Sequence, residues 1–97
     1  MTLKVDKFVS NETGHVVNVK CYDNPYTADR YTIIFTGYDY RDYGYNNRYA
    51  LAASSTPFHP QGIGMHVECH EDANIGKRIP FSELPEDVQK FVMQDIG

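Results

Sequence analysis

Tyr31-Thr32-Ile33-Ile34-Phe35-Thr36 decides how this chain folds. All six residues are aromatic or β-branched, the side chains that pack best on a pleated sheet, so the segment is expected to be the most buried strand. Residues 48–54 form its expected antiparallel partner across a tyrosine-rich loop that would project from the sheet edge as a tip. Upstream, Leu3, Val5 and Phe8 read as one strand, Asn11-Glu12-Thr13-Gly14 as a hairpin turn, and Val17, Val19 and Cys21 as the alternating face of a second strand. Asp23-Asn24-Pro25 breaks that pattern.

Further along, two prolines bracket a histidine in Phe58-His59-Pro60-Gln61-Gly62, which predicts a rigid, ordered connection. Ile63, Met65, Val67 and Cys69 then alternate with Gly64, His66, Glu68 and His70. That is the pattern of a half-buried strand, with Cys69 expected to face the core. Leu84, Val88, Phe91, Val92 and Ile96 recur at i, i+4, i+7, i+8 and i+12, which predicts an amphipathic helix. Pro85 suits its first turn, and Glu86 and Asp87 suit the positive end of its dipole. The expected fold is therefore α+β: a single small domain over residues 1–97, with an antiparallel β-sheet and the C-terminal helix packed on it. A length of 97 residues with 41% apolar content leaves room for one core and no separate catalytic lobe.

The stretch Met1-Thr2-Leu3-Lys4-Val5-Asp6-Lys7 alternates apolar with charged residues and lacks the apolar run of a secretory signal, and no segment approaches membrane-spanning length. A cytoplasmic protein is expected, with Cys21 and Cys69 as reduced, buried thiols and no disulfide.

Catalytic and metal signals are weak. His66 and His70 share a strand face but lie about 13 Å apart at the rise of an extended strand, too far to hold one zinc ion together. No CxxC pair, HExxH, phosphate-binding glycine loop or nucleophile elbow occurs in the sequence. His59 reads as a ring that caps or packs within its proline-bracketed turn. Gly62 and Gly64 form a lone GxG that more simply permits a bend. Lys77 and Arg78 read as a solvated, locally balanced surface pair. The chain is expected to be no enzyme and to use no cofactor.

Recognition of another protein is better supported. Tyr38, Asp39, Tyr40, Arg41, Asp42, Tyr43, Gly44, Tyr45, Asn46, Asn47, Arg48 and Tyr49 contain five tyrosines interleaved with two aspartates and two arginines. Tyrosine buries a large ring at low rotamer cost and keeps a hydroxyl for hydrogen bonding, while Gly and Asn let the backbone adapt. A wide hairpin whose rings cover the sheet beneath explains the same residues, and both readings hold together. Thirteen acids against nine bases, a net charge of −4, argue against a phosphate-neutralising nucleic-acid binder and favour a basic partner. Glu68, Glu71 and Asp72 cluster in one stretch, and Glu83, Glu86 and Asp87 in another. The expected partner-binding residues are Tyr38, Asp39, Tyr40, Arg41, Asp42, Tyr43, Tyr45, Glu68, Glu71 and Asp72.

Two linked motifs carry a family resemblance: Thr56-Pro57-Phe58-His59-Pro60-Gln61-Gly62-Ile63-Gly64-Met65-His66, and Gly76-Lys77-Arg78-Ile79-Pro80-Phe81-Ser82-Glu83-Leu84-Pro85-Glu86-Asp87-Val88-Gln89. Together they resemble a family of small proteins borne by phages and mobile elements. Length, acidity and that character make the chain similar to the small anti-CRISPR inhibitors of type I-F systems, some of which mimic DNA. The resemblance implies a stoichiometric inhibitor that binds the RNA-guided surveillance complex on its DNA-receiving subunits and blocks target DNA binding, with carboxylates substituting for phosphates. Direct nucleic-acid or membrane binding is not expected. No inhibitory residue carries over by motif, because residues 57–66 read as scaffold. A net charge of −4 requires any mimicry to rest on a local acidic face. The alternative in another class is a protein that sequesters a small ligand, such as a signalling nucleotide, by tyrosine stacking with His59 or His66 on an anionic group. A weak hydrolase using either histidine as general base is a third reading.

Overall fold

Val17, Val19 and Cys21 lie on one face of a strand, and each is at most 2% exposed. The alternation read from the sequence thus forms the floor of the core, on β2 (Val16–Asp23). The computed structural model describes residues 5–12, 14, 16–37, 47–70 and 75–97, the side chains at 37, 47–49 and 68–70 excepted. The other elements are β1 (Asp6–Val9), β3 (Tyr31–Gly37), β4 (Asn47–Ala53), β5 (Gly64–His70), β6 (Lys77–Ile79), a 3-10 turn (Phe81–Glu83) and α1 (Glu86–Ile96). The sheet order is β1-β2-β3-β4-β5, every pairing antiparallel, with β6 also on β2. This is an α+β fold.

β3 is the central strand of that order, and Ile33, Ile34 and Phe35 are all fully buried, so both of its faces are covered. Its pairing with β4 runs from Tyr31 opposite Ala53 to Ile34 opposite Ala50. Two strands share the other edge of β2. β1 pairs along residues 16–19, and β6 pairs with Cys21, Tyr22 and Asp23. β6 was not legible as a strand, and Lys77 and Arg78 are not merely a solvated pair: both are in the ladder, and the Arg78 guanidinium lies 5.9 Å from the centre of the Tyr22 ring.

The face of the sheet that receives α1 carries Val17, Val19, Cys21, Tyr31, Ile33, Phe35, Leu51, Ala53 and Ile79, against which Leu84, Val88, Val92 and Ile96 pack. Burying each Val, Leu and Ile side chain among them contributes about 1.5–3 kcal/mol. The opposite face holds a smaller cluster in which Tyr22, Val67 and Ile75 cover Ile34 and Ala50. Ile75 thereby places part of the β5-to-β6 connection on the side away from α1.

Three expectations change in detail. α1 begins at Glu86 rather than including Pro85, because Leu84 and Pro85 are extended, with ψ of 144° and 149°. A residue preceding proline is pushed out of the helical region, so Leu84 cannot start the helix. In the first strand the inward residue is Phe8, which meets Phe81 at 4.8 Å between ring centroids, while Val9 is 60% exposed. Leu3 lies outside the described residues. On β5 the described apolar residues, Met65 and Val67, turn away from α1, and the side chain of Cys69, expected to face the core, lies outside the described residues. His66 pairs with Leu51 and Gly64 with Ala53, so those two positions face the helix, while Met65 is 49% exposed and Val67 joins the smaller cluster. The Phe91 ring fills the room a side chain at Gly64 would need, its Cζ 3.0 Å from where a Cβ would sit.

The last turn of α1 reaches both margins of the sheet. Asp95 meets His66 on β5, and the Gly97 carbonyl accepts a hydrogen bond from the Asn11 amide just after β1, at 2.6 Å. The helix C-terminus therefore touches both margins of the sheet.

Candidate functional site

The tyrosine and aspartate residues proposed from sequence sit between β3 and β4. Tyr38, Asp39, Tyr40, Arg41, Asp42, Tyr43 and Tyr45 lie outside the described residues, as do Glu71 and Asp72. For Glu68 the backbone is described, opposite Tyr49 on β5. The strands that carry these segments are well defined. Asn47, the first residue of β4, is opposite His70, the last of β5. Ile34 is opposite Ala50, three residues from Gly37 and from Asn47 respectively. Consequently the chain enters segment 38–46, leaves it, and enters segment 71–74 at one and the same end of the sheet. The acids at the start of α1 are separate from that ladder: Glu83, Glu86 and Asp87 are exposed, and Glu86 faces Lys90 one turn on at 3.5 Å.

The opposite end of the sheet is formed by two tightly held loops. In the first, Asn24 accepts the Tyr26 amide on its side chain and the Thr27 amide and hydroxyl on its carbonyl, while its own amide donates to Arg30. Arg30 in turn grips both carboxylate oxygens of Asp23, at 2.7 and 3.0 Å. This presents Tyr26 with 95% of its surface exposed. In the second loop, Ser54 Oγ accepts the amides of Ile63 and Thr56, and the His59 and Gly62 amides donate to the carbonyls of Thr56 and His59. His59 Nδ1 accepts the Gln61 amide at 3.1 Å, so the ring closes its own turn as the sequence suggests, and the neutral ring carries its proton on Nε2.

His66 has a partner that sequence reading missed. Its Nε2 is 2.5 Å from Asp95 Oδ1, with the His66 side chain 57% exposed and that of Asp95 only 13%. The signal was present in the helix periodicity: Asp95 follows Val88 by seven residues and Phe91 by four, which puts it beside the apolar stripe. Among the described residues no group of three His, Cys, Asp or Glu side chains could hold a metal ion.

Charge and burial set the remaining chemistry. Hydrogen bonds from Arg30 hold the Asp23 carboxyl below the usual carboxylate range. Burial first, and the nearby Asp6 carboxylate second, push the Cys21 thiol up to about 12, which keeps it protonated and unreactive. Asp6 itself accepts the Phe81 amide at 2.9 Å, tying β1 to the entry of α1. No described helix is long and apolar enough to cross a membrane.

Comparison of the chain with protein-family models, with curated proteins and with solved structures finds no match.

Proposed function

We propose that this protein is a stoichiometric inhibitor of a type I-F RNA-guided surveillance complex, encoded by a phage or mobile element and acting in the cytoplasm of the bacterial host. It would occupy the basic surface that receives target DNA. The observation that supports this most is the shared departure point of segments 38–46 and 71–74. The ends of β3, β4 and β5 that lead into these segments lie together, and the segments' sequences hold Asp39, Asp42, Glu71, Asp72 and four tyrosines, with Tyr49 following on β4. Carboxylates gathered on one face would make mimicry of phosphates workable at a net charge of only −4, because the field that steers an association is set by the facing surfaces. Tyrosines beside those carboxylates supply buried contact area that a duplex backbone lacks. Segment 38–46 links two central strands, so a rigid scaffold carries it.

The test is reversal of charge. Asp39→Lys and Asp42→Lys together leave the described core untouched, and the reading expects them to weaken inhibition of target DNA binding at least about tenfold. Unchanged inhibition would remove segment 38–46 from the contact.

A further inference from the structure

The two margins of the sheet are treated differently. One is made of two short strands, β1 with four residues and β6 with three, which carry Lys7, Lys77 and Arg78. Short edge strands and cationic side chains are the usual protection against strand-to-strand association. The other margin is β5: seven residues in unbroken register with β4, with no proline, lysine or arginine. Among the described residues β5 pairs with β4 alone. Gly64, Met65 and His66 are all exposed, although successive residues point to opposite faces. Neither face of that half of the strand is deeply covered.

We propose that β5 is a homodimerisation edge, which pairs antiparallel with β5 of a second copy around a two-fold axis at Val67. The sequence of the strand is complementary to itself in that register. His66 of one copy falls opposite Glu68 of the other, twice by symmetry, and Met65 falls opposite Cys69. Opposed cross-strand residues of this kind stabilise a ladder, whereas like charges in those positions oppose it. A two-fold axis makes the contact closed, so pairing stops at two copies rather than extending into a fibre. The product is one continuous sheet across both copies, with the ends bearing segments 38–46 at a fixed separation. Edge pairing alone is a small interface, so the dimer forms at high protein concentration.

The experiment is sedimentation equilibrium on the full chain from about 10 µM to about 500 µM, a range suited to a small interface. The mass should rise from 11.1 kDa toward twice that value. His66→Glu should weaken the dimer at least about tenfold by opposing two pairs of carboxylates, and adding Glu68→Lys should restore it. Because His66→Glu also places a carboxylate beside Asp95, an independent variant is needed. Met65→Cys should crosslink to Cys69 of the second copy under mild oxidation and run as a dimer on a non-reducing gel, and adding Cys69→Ser should abolish the band. A monomer at every concentration would overturn the proposal. So would a dimer that neither responds to His66→Glu nor crosslinks through Met65→Cys.

Discussion

Asp95 Oδ1 lies 2.5 Å from His66 Nε2, joining the last turn of α1 to the outermost strand of the sheet. Two residues later the Gly97 carbonyl accepts the Asn11 amide on the opposite margin. One helix end thus contacts the sheet at both margins.

The His66 and Asp95 pair contributes modestly, because the His66 side chain is 57% exposed. A double-mutant cycle with His66→Gln and Asp95→Asn, read by urea unfolding at dilute protein, should give a coupling of about 0.5–1 kcal/mol. A coupling indistinguishable from zero would mean that the backbone contact at Gly97 alone secures the helix end.

The Asp23 and Arg30 pair has a pH signature. Arg30 holds the Asp23 carboxyl below its ordinary range, so the stability it contributes is present above the unfolded carboxylate value and is lost as pH falls through the lowered folded value. Arg30→Ala should lower stability slightly at about pH 7, an effect kept small because the Arg30 side chain is 43% exposed. Its deficit against wild type should shrink by about pH 3, measured by chemical denaturation.

Cys21 titrates in the opposite direction. Its thiol is pushed up to about 12, against about 8.5 in an unfolded chain, so the unfolded state loses its proton first and stability declines as pH rises between those values. In a Cys69→Ser background, a thiol reagent at about pH 8 should label Cys21 only as fast as the protein opens. Immediate labelling of the native protein would contradict its burial.

Two glycines should respond differently to alanine. At Gly62 a Cβ would sit 1.8 Å from the Thr56 carbonyl oxygen, so Gly62→Ala must open the loop after β4 and should cost about 2 kcal/mol or more. Gly14 has φ of +75° with nothing within 4 Å of a Cβ, so Gly14→Ala should cost about 1 kcal/mol, from backbone strain alone. Thermal unfolding of both variants checks the order.

Strong periodicity made much of the architecture legible. The alternation of Val17, Val19 and Cys21 and the helical stripe from Leu84 to Ile96 each name a buried face, and both hold. β6 escaped notice because three residues cannot display a period, and only its place beside β2 makes it a strand. β5 showed its period but not its orientation. Val67 packs on the second face of the sheet, while the helix side takes a glycine under Phe91 and a histidine paired with Asp95. That choice depends on register with β4, which one strand alone does not encode. The residues proposed to bind a partner were singled out by composition, and the structure adds the strand ends that lead into their segments.

The inhibitor reading is tested most directly by incubating the purified protein with an assembled type I-F surveillance complex and measuring target double-stranded DNA binding by gel shift, at low and at physiological salt. The account predicts loss of DNA binding at near-stoichiometric protein, with the protein co-migrating with the complex and its hold weaker at the higher salt. Unimpaired DNA binding without co-migration would contradict it and would put sequestration of a small ligand in its place.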